Sequence, residues 1–157
     1  MLEVYGWVVV RTSRDIFVNA TFEELDAIDD IVDLRDAQLW SDLRDRLPTQ
    51  ESSSLRWQFY EHLNNKRGIL QFCESTNHRS ADTWALMDWI VKHATGSYGL
   101  IYVHDDEDIP SNKSYSRGQH DFSNVFRVWR ILNGELLELE DPFLSPIVPT
   151  INPSEYS

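Results

Sequence analysis

Val4-Tyr5-Gly6-Trp7-Val8-Val9-Val10-Arg11-Thr12 is β-branched and aromatic on both of its alternating faces, the pattern of a strand covered on two sides. The residues after it decide the fold. Thr21 can cap a helix while Glu24, three residues on, closes a capping box, and an acidic first turn complements the helix dipole. Phe22, Leu25, Ile28, Val32, Leu39 and Leu43 recur on one stripe at ~100° per residue, and the helix must end before Pro48. Leu55, Trp57 and Phe59 then alternate with Arg56, Gln58 and Tyr60 as a half-buried strand. Asn64-Asn65-Lys66-Arg67-Gly68 supplies a turn, and Ile69 to Glu74 runs back.

A second helix is expected from Ser80 to Thr95, with Trp84, Met87, Ile90, Val91 and Ala94 facing inward and Gly96 as its C-terminal glycine. Tyr98 to His104 is another strand, and the polar stretch from Asp105 to Ser123 reads as a long surface loop. Asn133-Gly134, between Val125–Leu132 and Leu136–Leu139, carries the strongest hairpin signal in the chain. Gly6 and Gly99, inside strand runs, are expected to let a helix pack closely. This order gives an α+β fold: a mainly antiparallel sheet with two helices packed on one face, opened by a split βαβ unit. Residues 1–157 read as one domain, and its Pro-rich tail, 141–157, is expected to run extended, pinned by Phe143 and Leu144.

A hydrophobic fraction of 41% and an aromatic fraction of 12% belong to a globular protein rather than a disordered acidic tail. A formal net charge of −12 argues against direct contact with nucleic acid or an anionic membrane, both of which need cationic partners. With Cys73 as the only cysteine there is no internal disulfide and no Cys-rich zinc site, and its apolar surroundings predict a buried, inert thiol. No secretion signal and no long apolar run is present, so a cytoplasmic protein is expected.

No catalytic motif is present. The five histidines fall in separate elements without metal-ligand spacing, and no nucleophile elbow, phosphate-binding glycine loop or dinucleotide fingerprint occurs. His104-Asp105-Asp106 is the best candidate for a metal-dependent hydrolase, against the preferred reading of a solvated strand end. No cofactor is expected.

The charge is clumped. Glu23, Asp26, Asp29, Asp30, Asp33 and Asp36 occupy an arc of roughly 140° on a helical wheel, beside the apolar stripe. Asp105, Asp106, Glu107 and Asp108 form a second cluster. Clustered carboxylates repel one another, and the arc lacks the interleaved cations of an ordinary solvated face. A basic partner is therefore favoured over an acidic solubilising or structural module. Such an interface needs aromatic anchors. Trp40 and Trp89, off the centre of their helices' apolar stripes, are the candidates, against a competing reading as core-edge aromatics.

Four blocks taken in order, Tyr5-Gly6-Trp7-Val8-Val9-Val10, Tyr98 to Glu107, Val128-Trp129-Arg130, and Asp141-Pro142-Phe143-Leu144-Ser145-Pro146, resemble the immunity protein 7 family of bacterial polymorphic-toxin and contact-dependent growth inhibition systems. The resemblance implies a non-enzymatic α+β protein encoded beside a toxin. It would bind the C-terminal toxin domain of a large secreted effector in the cytoplasm and protect the producing cell. Many such toxins are nucleases with a basic substrate cleft, which fits the acidic arc.

Overall fold

A computed structural model describes residues 1–63, 67–115 and 118–140. Six strands form one sheet in the order β2-β3-β1-β4-β5-β6: β1 (Leu2–Val10), β2 (Arg56–Leu63), β3 (Arg67–Thr76), β4 (Tyr98–Asp105), β5 (Arg127–Leu132) and β6 (Glu135–Leu139). Every neighbouring pair is antiparallel. β1 and β2 therefore run parallel with β3 between them, joined by helix α1 (Leu25–Arg46). β3 and β4 flank β1 in the same way, joined by α2 (Ala81–His93). Two split βαβ units thus interlock, each holding one strand of the other between its own two, and the β5–β6 hairpin extends the sheet beyond β4. Among the described residues no helix is long and apolar enough to cross a membrane.

Strand phase sets the two faces of the sheet. Val4, Val8 and Val10 of β1 and Leu70 and Phe72 of β3 are buried with Ile101, Val103, Trp129 and Ile131. They form one core with Leu39, Trp40 and Leu43 of α1 and Met87, Trp89 and Ile90 of α2. The opposite face carries no helix. Val9 is buried there, but Tyr5 is 48% and Trp7 39% exposed, so β1 is covered on one side and not on two. Cys73 also lies on this open face and is exposed, which overturns the expectation of a buried thiol. Phe72 and Glu74 point inward, so a period of two necessarily turns Cys73 out.

Thr21 and Glu24 form the expected capping box. The Glu24 carboxylate accepts from the Thr21 N–H and hydroxyl, each at 2.9 Å. A short 3-10 turn, Phe22–Glu24, precedes α1 proper. Ser80 caps α2 by accepting from the Asp82 N–H. In the β5–β6 turn Asn133 and Gly134 have φ of 53° and 72°, the left-handed pair that a two-residue hairpin requires. Gly96 does not take the left-handed conformation expected of a helix-ending glycine. Instead, a side chain there would collide with the backbone of Thr12. Gly6 and Gly99 likewise accommodate neighbouring strands, the Phe72 ring and the Trp7–Val8 backbone, rather than a helix. Of the expected turn Asn64–Gly68, Arg67 and Gly68 already belong to β3, while Asn64, Asn65 and Lys66 and the Pro-rich tail, with Phe143 and Leu144, lie outside the described residues.

α1 is longer than the strand it packs on. The Trp40 indole donates to the Val10 carbonyl at 2.8 Å, and one turn earlier Asp36 accepts from the Thr12 N–H at 2.8 Å. The turn holding Val32 therefore already lies past the end of β1, at Val10. Upstream of it α1 overhangs the sheet. Leu25 and Ile28 are only half-buried, and Phe22, expected on the inner stripe, is 90% exposed.

Candidate protein-binding surface

The overhang presents the acidic arc. Glu23, Asp26, Asp29 and Asp30 are exposed and Asp33 is half-buried, and no Lys or Arg occurs between Glu23 and Leu34. Where α1 leaves the sheet, a cleft of about 360 Å³ opens, lined by Arg14, Phe17, Asp29, Val32, Asp33 and Arg67 among others. Arg11 also lines it. Burial, and after it the nearby Arg14 charge, hold the Arg11 guanidinium below its ordinary pKa.

Asp36 departs from the expected outward arc. It is 2% exposed and faces inward with Val32, Leu39, Trp40 and Leu43. Besides the Thr12 N–H, its carboxylate accepts from the Thr12 hydroxyl at 2.8 Å and from Arg14 Nη2 at 2.6 Å. Four residues after Val32 and three before Leu39, it occupies the apolar stripe itself, and these donors replace the water it gives up. Asp36 fastens the segment after β1 to α1.

The second cluster also departs from expectation. Asp105 and Asp108 are buried at 8% and 4% exposure. Asp105 accepts from the Tyr115 hydroxyl and, at 3.0 Å, from the Glu107 N–H. Burial first, then the hydrogen bond to Asp105, raise the Tyr115 pKa strongly. The Asp108 backbone carbonyl receives the Phe122 N–H at 2.9 Å. Asp106 pairs with the Met1 amine, and Glu107 lies 3.3 Å from His78 Nδ1. The carboxylates are therefore dispersed among fold contacts that hold residues 106–115 and 118–126 against the body, and they do not form one outward surface.

His104, Asp105 and Asp106 do not converge. Neighbours on a strand point to opposite faces, so His104 lies on the open face and Asp105 on the helix face. His104 Nε2 donates to the Ser123 carbonyl at 2.7 Å, and its Nδ1 is 3.3 Å from the Glu3 carboxylate. Among the described residues no three His, Cys, Asp or Glu side chains are placed to hold a metal.

Trp40 and Trp89 are 3% and 8% exposed and belong to the core. Trp89 stacks on His93 with ring centroids 5.1 Å apart. Neither can be a surface anchor in this fold. The exposed apolar side chains near the acidic arc are others: Val18 at 75%, Phe22 at 90%, Leu34 at 74% and Ile31 at 42%. Ile31 and Leu34 fall off the inner stripe on the helical wheel, a signal the sequence already carried.

The open sheet face is a second uncovered surface. A groove of about 540 Å³ lies there between Tyr5, Trp7, Arg56, Gln71, Cys73 and Tyr102. Its charged neighbours are mainly cationic, Arg56 in the groove and Arg130 on the same face of β5. The two surfaces thus differ in sign.

The chain matches the family described as immunity protein 7 over residues 1–153. No curated protein and no solved structure matches it.

Proposed function

Because this chain belongs to the immunity protein 7 family, and is therefore an immunity protein directed against a toxin, we propose that it works in the cytoplasm by covering the basic substrate cleft of a nuclease toxin domain with the overhanging part of α1. The toxin would be the C-terminal domain of a large secreted effector of a contact-dependent inhibition system. One observation carries this reading: Glu23, Asp26, Asp29 and Asp30 are exposed on a helix segment that projects beyond the sheet, with no cation among them. Like charges spaced four apart, such as Asp26 and Asp30, cost a helix a few tenths of a kcal/mol, and a cationic surface would relieve that cost.

A nuclease cleft must be positively charged to hold a phosphate backbone. An anionic helix competes for the same field, speeds encounter and sets register, and so excludes the substrate without chemistry. Asp106 and Glu107 sit beside Met1, at the end of the sheet opposite the overhang, and lie outside this contact, whereas Asp36, Asp105, Asp108, Trp40 and Trp89 act through the fold.

The test uses the toxin domain encoded beside this chain's gene. Equimolar protein should abolish its nuclease activity, and the association rate should fall steeply as salt rises from 50 to about 500 mM. Combined Asp26→Lys, Asp29→Lys and Asp30→Lys should slow association at least tenfold at low salt. A salt-independent rate, unchanged by these substitutions, would remove the acidic helix from the mechanism. Inhibition of a toxin with no nuclease activity would remove the nuclease assignment alone.

A further inference from the structure

We infer that the overhang carries its own hydrophobic anchor, Ile31 and Leu34 on the outer ridge of α1, and that the partner surface seated on it is a cationic protein face containing an apolar groove. This rests on the reading that the overhang of α1 meets the toxin, and it states what holds the complex together once formed.

The geometry places the ridge. Leu34 lies nine residues before Leu43, about 180° round the helix at 100° per residue, and Leu43 is fully buried. Leu34 thus points directly away from the core. Ile31, three residues earlier, adjoins it on the same outer surface, with Ala27 completing the row. On one flank of that row stand Asp26, Asp30 and Asp33, about 40° to 100° away on the wheel. Leu34 is 74% and Ile31 42% exposed. Single exposed apolar residues are ordinary, but large ones gathered on one projecting segment and bordered by charge have the anatomy of a protein interface, an apolar centre with a polar rim.

Charge complementarity selects the occupant. In a symmetric pairing of two copies, each copy's carboxylates would come to rest beside the other's, since a two-fold contact buries the same patch twice. An anionic membrane is repelled for the same reason. The open sheet face, with Arg56 and Arg130, offers a cationic partner no matching field. What remains is a basic protein whose groove takes isoleucine and leucine side chains. In such a contact the carboxylates govern association and the desolvated apolar centre governs dissociation.

The experiment measures association and dissociation rates separately, using the catalytically inactivated toxin domain encoded beside this chain's gene. Leu34→Ser and Ile31→Ser are examined singly and together, with thermal melts to show that these exposed substitutions leave the fold intact. Each single variant should dissociate roughly tenfold faster while its association rate changes less than about twofold. The Asp26→Lys, Asp30→Lys pair should show the reverse pattern. Wild-type dissociation rates in the double variant, with wild-type protein still binding, would overturn the anchor and leave the toxin reading standing. No binding by the wild-type protein would overturn both. A wild-type homodimer in solution that Leu34→Ser splits would assign the ridge to self-association and overturn the inference as well.

Discussion

The carboxylates at the start of α1 and those at the end of β4 look alike in sequence, yet the protein uses them in opposite ways. Asp26, Asp29 and Asp30 stand in solvent on a helix that has outrun its sheet. Asp105 and Asp108 are buried, and Asp105 takes its hydrogen bonds from Tyr115 and the Glu107 backbone. Asp36 crosses between these cases: it belongs to the first cluster by position and to the second by environment. A run of acidic residues therefore says little until the donors around each carboxylate are known. Where donors converge the carboxylate fastens the fold. Where none do, its charge is left for something outside.

This contrast can be broken by substitution. Asp36→Ala should be the most damaging change, costing about 3 kcal/mol in urea unfolding, because it strands the Thr12 N–H and the Arg14 guanidinium. Arg14 is itself 30% exposed and recovers some hydration, which keeps the loss toward the lower end of the range for a buried pair. Asp105→Ala should cost about 2 kcal/mol and speed amide exchange across residues 106–126. By contrast, Asp26→Asn, Asp29→Asn and Asp30→Asn should each stay within about 0.5 kcal/mol of wild type. A large loss at Asp30, or none at Asp36, would erase the distinction.

The effects of pH sharpen the same comparison. The Tyr115 phenol is raised by burial and by Asp105, so above pH ~10 the unfolded chain loses this proton before the folded one does. Stability should fall as pH rises there, and Tyr115→Phe should flatten that decline. Glu24 is the mirror case at the exposed end. The Thr21 N–H, and after it the Thr21 hydroxyl, hold its carboxyl below the usual range. Its contribution is present above the ordinary carboxylate pKa and lost as pH falls through the lowered one. Glu24→Gln should remove this acid-side component, the smallest of these effects, and Thr21→Ala, which keeps the N–H, should only weaken it, read as a reduced slope of melting temperature against pH.

Local pattern was enough for much of the architecture. Alternation in β2, the Val-rich β1, the Thr21–Glu24 box and the Asn133-Gly134 turn each specify their element from neighbours in sequence, and the element order led to the split βαβ start. The failures were of two physical kinds. Cys73 and Asp36 were readable from phase alone, one turned out by the period of a strand and one turned in by the period of a helix. Residue type was given priority over phase in both, and phase prevailed. Asp105, Asp106 and Trp40 depend on Tyr115, Met1 and Val10, partners that only the folded chain brings near. The overhang itself follows from the offset at which α1 packs on β1, with Trp40 at Val10 and Asp36 at Thr12, visible only once their register is fixed.

Hydrogen exchange of the free protein and of its complex with the neighbouring toxin domain tests the central claim most directly. The amides from Phe22 to Gln38 should become strongly protected in the complex. Protection confined to residues 106–126 or to the open face around Tyr5, Trp7 and Tyr102, with α1 unchanged, would contradict it.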